Sequence, residues 1–427
     1  MPGPSRISYS EMARVFGRIG VLSFGGPAAQ IALMHRELVE ARDWLSEARF
    51  LNALSFCMLL PGPEAMQLAT YAGWRMGGVR GGVLAGGLFI LPGAVVILVL
   101  ASLYAALGQV PLVAALFLGI KATVIIVVIE ALIRVAAKAL KSRLAYGLSA
   151  AAFLGLYVVD LPFPLIIAGA ALIGAAGMGR GGGGVAAAAI RPKVSVAAPA
   201  ICLVLWLLPV AALWLFASDG VLAQVALFFS KLAVVTFGGA YAVLAYMVQT
   251  VVGDFGWLET GQMMDALGLA ETTPGPLILV TEFVGFMAGA GQGGFWGGVL
   301  AAIVTLWVTF LPSFLWIFAF APYVDWITGQ PRLNGALAGI TAAVVGVILN
   351  LSLWFALNVL FANVERVALG PARLWLPDPA SLQPGALVLS GLAAWLLIRR
   401  KMDLLIALPV MAAAGALWVL AIAPVFG

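Results

Sequence analysis

Two short stretches stand out for chemistry that their backbones, more than their side chains, can do. Phe24-Gly25-Gly26-Pro27 and Pro61-Gly62-Pro63-Glu64 each interrupt an apolar run near its middle. A helix is disturbed at such points, because proline lacks the amide proton and clashes with the preceding turn, and adjacent glycines are poor helix formers. The helix that restarts after each break, with Pro27 or Pro63 suited to its first position, begins with unpaired N–H groups and the positive end of its dipole. That combination attracts anions. Gly25, Gly26, Pro27, Gly62 and Pro63 are therefore candidate binding positions, as are Gly238, Gly239 and Gly275 in a second pair of breaks, Phe237-Gly238-Gly239 and Pro274-Gly275-Pro276. Thr272 and Thr273 precede Gly275; their hydroxyls suit hydrogen bonds to an oxyanion, or the repair of a broken helix.

The charged side chains near these breaks add to the set. Glu64 falls in the first turn of its helix, where a carboxylate either caps the dipole or, by protonating, yields its place to an anion. Glu282, beyond the second Pro-Gly-Pro, is the other proton-coupling candidate. Lys121 lies roughly 15 Å along the helix that starts at Pro111, and there its ammonium can hold a divalent anion or pair with a carboxylate such as Glu64 or Glu282. Glu130 and Arg134 have the spacing of an intrahelical ion pair. Arg36 and Arg75, at the ends of apolar runs, suit helix anchors or guides for anions entering a cytoplasmic vestibule, and His35 suits an interfacial position.

The elements that position these residues must lie in lipid. Of 427 residues 63% are hydrophobic and 10% charged, against about 25% charged in soluble domains. Runs such as Gly82–Ala106 reach the roughly 20 residues that cross a bilayer, and none alternates as a barrel strand would. Cys57 and Cys202 both lie in apolar runs and His35 is the single histidine, so no disulfide, metal, cofactor or enzyme chemistry is expected. The net charge of +5 comes from basic residues near helix ends, a pattern of membrane topology and not of nucleic-acid binding.

The chain repeats itself. Phe24-Gly25-Gly26, Trp44-Leu45 and Pro61-Gly62-Pro63 recur with one offset of 213 as Phe237-Gly238-Gly239, Trp257-Leu258 and Pro274-Gly275-Pro276. Gly81–Ala85 recurs as Gly297–Ala301 at 216, and Gly119-Ile120 as Gly339-Ile340 at 220. The expected organisation is a first repeat over 1–180, a Gly-rich cytoplasmic linker and inverting transmembrane helix over 181–217, and a second repeat over 218–427. Arginines flank the early segments of the first repeat, whereas Asp219, Asp254, Glu259, Asp265 and Glu271 surround the corresponding segments of the second. By the positive-inside rule the second copy is inverted. The first eleven residues are polar with no signal peptide evident, so the N-terminus is expected in the cytoplasm of a bacterial inner-membrane protein. The expected fold is an all-α polytopic membrane protein, with two inverted-topology repeats, about nine full spans and four re-entrant half-helix hairpins. The glycine rows Gly78-Gly82-Gly86 and Gly293-Gly297-Ala301 suit close helix packing.

Phe24-Gly25-Gly26-Pro27, Trp44, Pro61-Gly62-Pro63-Glu64-Ala65 with Gln67, Tyr71-Ala72-Gly73 and the glycine-rich stretch up to Pro92 resemble the signature of the chromate ion transporter family, in its long, two-domain form, over nearly the whole chain. The resemblance implies export of chromate from the cytoplasm, driven by the membrane potential or a proton gradient, with sulfate as a close analogue. Composition and spacing point no further than a small oxyanion, and leave open sulfate as cargo, a channel of the same architecture, and a homodimer. The second repeat departs from the first, with Ala240 in place of Pro27 and Leu277 in place of Glu64, so the two halves are not expected to contribute equally.

Overall fold

The computed structural model describes residues 7–108, 110–179, 196–237, 240–370 and 372–422. The glycine-rich linker Gly181–Gly184, with Arg180, Arg191 and Lys193, and the pair Gly238 and Gly239 lie outside the described residues. The chain is a multi-pass membrane protein. Six stretches among the described residues are long and apolar enough to cross a bilayer. The side chains they leave exposed are themselves apolar, as on α8 (Ala197–Phe216), where Leu203, Leu208, Leu215 and Phe216 all face outward. Such surface is stable only against lipid.

The helices group into two compact units, each drawing on segments from both ends of the chain. The first unit holds residues 1–102, 181–240 and 273–334. It opens with α1 (Tyr9–Leu22), capped by the Ser8 hydroxyl, which accepts the Glu11 amide proton. Its buried residues Met12, Val15, Phe16 and Ile19 recur at the spacing of one helix face. Chain direction changes at Ser23–Gly25, and α2 (Gly26–His35) follows, extended by a π-helical turn at Arg36–Glu40. Next come α3 (Glu47–Cys57), a second break at 58–63, and α4 (Glu64–Leu107), whose far end belongs to the second unit. The helices α1, α2 and α3 have 14, 10 and 11 residues, about 15–21 Å and so less than a bilayer's thickness.

The second unit contains α5 (Pro111–Ala139), α6 (Arg143–Tyr157) and α7 (Phe163–Gly177). The chain then returns to the first unit with α8 and α9 (Val221–Val235), leaves the helix in a third break at Thr236 and Phe237, and enters the second unit again with α10 (Ala240–Val248) and α11 (Thr260–Thr272). After a fourth break at 273–276, α12 (Val280–Phe320) and the short α13 (Val324–Thr328) complete the first unit, with α12 packed on α8 and α9. The second unit finishes with α14 (Pro331–Leu360), β1 (Val364–Leu369), β2 (Ala372–Pro377), α15 (Pro384–Ala394) and α16 (Leu404–Leu417), with α15 and α16 packed on α5.

Two features correct the expectations. The helical class holds, with one addition: β1 and β2 pair as an antiparallel hairpin, with Val364, Val367 and Trp375 of the residue types that favour strands. And α4 and α12 are each bent back on themselves. Gly77 and Gly78 have non-helical angles, with Gly78 at φ 62 and ψ −155, and Gly293 and Gly294 repeat this almost to the degree at φ 61 and ψ −160 for the latter. Only glycine adopts such angles without strain. The two arms of each helix then pack so tightly that a Cβ on Gly73 would strike the Gly81 carbonyl and the Ala85 side chain, and one on Gly289 would strike the Gly297 carbonyl and Ala301. The glycine rows thus serve turns as well as close packing.

At the corner between α2 and α3, His35 bridges two carboxylates, with Nδ1 3.1 Å from Glu40 and Nε2 2.6 Å from Glu47. The hydrogen bond and charge of Glu47, followed by those of Glu40, outweigh desolvation and raise the His35 pKa above 6.5. The stabilisation this pairing gives is complete below the unfolded-state pKa and is lost as pH rises through the higher folded-state value. Thermal unfolding in detergent is therefore expected to separate wild type from His35→Gln by more at about pH 6 than at about pH 9; a gap that does not depend on pH contradicts the assignment. By the same measurement, Gly73→Val should cost about 1–3 kcal/mol by overpacking. Gly17→Ala, where nothing lies within 4 Å of the added carbon, should be neutral or slightly stabilising.

Candidate functional site

All four breaks lie in the first unit, and there they cross. The Gly62 amide donates to the Thr236 carbonyl at 2.8 Å, and the Gly275 amide donates to the Ser23 carbonyl at 2.8 Å. The two bonds are the same bond made twice, since Ser23 and Thr236, like Gly62 and Gly275, are 213 residues apart. Each hydroxyl does the same local work: Ser23 Oγ donates to the Ile19 carbonyl and Thr236 Oγ1 to the Leu232 carbonyl, both at 2.5 Å. These bonds occupy backbone groups that lipid could not satisfy.

Positive φ makes the crossing possible, at 82° for Gly25, 124° for Gly62 and 90° for Gly275. The fit leaves no room for side chains. A Cβ on Gly62 would meet Ser313 Oγ and Gln67 Nε2, and one on Gly93 would strike the Pro274 carbonyl. Two buried glutamines brace the crossing. Gln30 Nε2 donates to the Gly275 carbonyl at 2.6 Å and to the Ser23 carbonyl at 3.3 Å, and Gln67 Nε2 donates to the Pro61 carbonyl at 2.7 Å. The Oε1 atoms of both are buried with no hydrogen-bond partner among the described residues.

The restarting helices converge on one small cavity of about 10 Å³, lined by Pro27, Gln30, Pro63, Glu64, Pro276 and Leu277 among others. It has room for one water at most. Here α2 starts from Gly25 with Pro27 in its first turn, α4 starts at Glu64, and the short 3₁₀ turn Leu277–Leu279 leads into α12. The expected first-position prolines fall one residue to either side: Pro27 is the second residue of α2, and Pro63 just precedes α4. Glu64, half-buried, thus sits where the α4 dipole favours a carboxylate. Glu282, in the first turn of α12, is 1% exposed, and its Oε2 has no partner among the described residues. Thr273 is buried within this unit. Arg75, beside the Gly77–Gly78 reversal, and Arg36, in the π-helical turn, are both exposed. Of the candidates for binding, Gly25, Gly26, Pro27, Gly62, Pro63 and Gly275 belong to the crossing; Gly238 and Gly239 lie outside the described residues.

Lys121 and Thr272 belong to the second unit. Lys121 pairs with neither Glu64 nor Glu282 but with Asp265, at 2.9 Å, and the Tyr104 hydroxyl donates to the same carboxylate at 2.7 Å. Thr272 is spent locally, donating to the Leu269 carbonyl at 2.7 Å. Asp265 and Glu271, taken from sequence for acids flanking the spans, are buried on α11 at 7% and 6% exposure. Glu271 accepts from the Tyr241 hydroxyl at 2.9 Å. The expected Glu130–Arg134 pair does not form, since neither residue makes an ion pair among the described residues. A helical-wheel reading of α11 would have found Asp265 and Glu271; a count of loop charges missed them. Gln30 also escaped, although a polar residue one turn after a break was a signal.

Comparison with known proteins agrees with this architecture. A family model described as chromate transporter matches residues 10–175 and 223–421. The chain is 33% identical over 349 residues to a chromate transport protein of Pseudomonas aeruginosa, covering 81% of this chain and 80% of the relative. It is 32% identical over 343 residues to a probable chromate transport protein of Synechococcus elongatus, covering 80% and 83%. It is also 30% identical over 339 residues to a chromate transport protein of Cupriavidus metallidurans, covering 79% and 80%. No solved structure gives a significant match. With broken helices at the positions of the family's motifs and a family match on both sides of residue 200, the chain belongs to the chromate transporter family, a family of transport proteins and not of enzymes.

Proposed function

We propose that this protein exports chromate across the bacterial cytoplasmic membrane as a secondary active transporter working by alternating access. Carrying the reading is the convergence of restarting helices on one cavity at the crossing of the breaks. The names of its relatives supply chromate. The cavity, with room for about one water, corresponds to a closed arrangement. In it the Gly62 and Gly275 amides, the donors best placed to receive an oxyanion, are held by Thr236 and Ser23. When the crossing parts toward one side, these amides and the helix N-termini at Gly26 and Glu64, set by Pro27 and Pro63, become available, with Gly25 giving the backbone its freedom, Thr273 a hydroxyl, and Gly238 and Gly239 as further binding positions. Directed N–H donors then replace the hydration shell.

The reciprocal bonds support two repeats, 1–180 and 218–427, related by a two-fold axis, with the helix in 181–217 inverting the second. The N-terminus is cytoplasmic, α1–α2 and their counterparts re-enter from the side on which they began, and Arg36 and Arg75 draw anions to the cytoplasmic mouth. Protons or the membrane potential drive export. Glu64 at the cavity, and Glu282 with its unpartnered oxygen, are the groups whose protonation exchanges with the anion. In the second unit Lys121, held by Asp265, and the Thr272 hydroxyl are further oxyanion-binding candidates. An ensemble of inward- and outward-open states, shifted by anion and proton, couples the flows.

Labelled chromate flux in proteoliposomes, under an imposed pH gradient and separately under an imposed voltage, tests the reading. Flux should follow at least one gradient and be inhibited by sulfate less strongly than by chromate; tighter competition by sulfate would reassign the cargo, and flux uncoupled from both gradients would indicate a channel. Glu64→Gln should lose at least tenfold of gradient-driven flux and keep anion counterflow. For Lys121, single replacement by Met leaves Asp265 buried and unpaired, at a cost of about 3–5 kcal/mol. The Lys121→Met, Asp265→Leu double variant should recover stability but not flux; recovery of both would reduce Lys121 to a structural partner.

A further inference from the structure

The β-hairpin carries a charged cluster that the proposed function does not use. Opposed residues of an antiparallel ladder share a face. Arg366 lies opposite Trp375 and Ala368 opposite Arg373, which puts both arginines on one face and Glu365 on the other. Asp160, in the turn between α6 and α7, meets both: Arg366 Nη2 is 2.8 Å and Arg373 Nη1 3.1 Å from its carboxylate. Gln249, in the π-helical turn after α10, donates to the same carboxylate at 2.5 Å. The Arg366 guanidinium lies 5.3 Å from the centre of the Trp375 ring. Two guanidinium groups thus share one carboxylate, and the cluster keeps one positive charge in excess.

Beside it lies a cavity of about 100 Å³, whose lining includes Asp160, Gln249, Thr260, Asn350, Arg366 and Trp375. That is far more than the ~10–15 Å³ a single water needs. An arginine, two amides and a hydroxyl supply donors around it, and Asp160 is the one carboxylate in the lining. Guanidinium forks match the paired oxygens of a carboxylate and of a tetrahedral oxyanion alike.

We infer that this cavity is a second oxyanion site, in which Asp160 stands in for the anion while the site is empty of cargo. An arriving divalent oxyanion takes over the forks of Arg366 and Arg373, and Asp160, with Gln249, is displaced. The inference rests on the reading of the protein as an oxyanion transporter. In the proposed topology α15 leads from the hairpin to Arg399-Arg400-Lys401 on the cytoplasmic side, so the cavity opens on the outer side, where exported anion departs. A guanidinium pair already holding a carboxylate releases its cargo more readily than a free pair, which suits an exit.

Calorimetric titration of the purified full-length protein with sulfate and with chromate tests this. The wild type is expected to show two binding events per chain and Arg366→Gln one. Asp160→Asn, which removes the internal competitor but keeps the shape, should bind at the second site about tenfold more tightly. A clamp with a purely structural role would give the opposite, a lower unfolding temperature with affinity unchanged or weakened, and that result overturns the inference. Should Asp160→Asn fail to fold, Arg373→Gln replaces it: loss of the excess charge should weaken the second event at least fivefold, and an isotherm identical to wild type overturns the inference. If the wild type neither binds nor carries any oxyanion, the transport reading fails and takes this site with it. If it does both while Arg366→Gln titrates like wild type, only the second site is lost.

Discussion

A backbone amide kept from water must find a partner inside the protein, and each helix break in this fold frees such groups. The demand is met by symmetry. The chain ends freed at one break are satisfied by those freed at the equivalent of another, Gly62 by Thr236 and Gly275 by Ser23. Neither half of the chain could make this arrangement alone, because Gly62 and Gly275 each donate to a carbonyl in the other half. In the proposed mechanism these same bonds occupy the donors an anion would need, so closure and binding compete for one set of atoms.

Close approach is the second requirement, and glycine supplies it in two distinct ways. At Gly25, Gly62 and Gly275 the need is for positive φ. At Gly73, Gly93 and Gly289 it is for the missing Cβ, since a carbonyl of a neighbouring segment stands in its place. The glutamines fill the remaining gap between segments, each offering its amide to the crossing, with its own oxygen unpartnered among the described residues. A buried acceptor without a donor is costly. Its place beside a closed cavity is understandable if a donor, a water or a protonated oxyanion, arrives when the crossing opens.

Much of this was legible in the sequence, and the reason it was legible is local. Gly-Gly-Pro and Pro-Gly-Pro break helices whatever surrounds them, so Gly25, Pro27, Gly62, Pro63 and Gly275 could be found one motif at a time, and their recurrence marked them as a set. Reading failed where the outcome depends on partners remote in sequence. Lys121 was visible as an ammonium inside an apolar run, but its partner Asp265 lies on α11 and had been grouped with acids flanking the spans. Glu130 and Arg134 had the right spacing for a pair, yet spacing on one helix does not fix which way two long side chains turn. The β-hairpin was hidden because neither VERVAL nor ARLWLP alternates in polarity, and both sit between two long apolar runs. Gly78 and Gly293 were read for packing alone and not as turns, since a reversal and a small-residue stripe use the same amino acid.

The central claim is that the crossing of the breaks opens onto water and receives the anion there. Cysteines placed singly at Ala65 and Leu277, both lining the crossing cavity, in a chain with Cys57 and Cys202 replaced by alanine, test it most directly through their reactivity toward a membrane-impermeant thiol reagent. The account predicts modification from the aqueous phase, slowed at least tenfold by chromate. Modification only by lipid-soluble reagents, or aqueous modification indifferent to the anion, would contradict it.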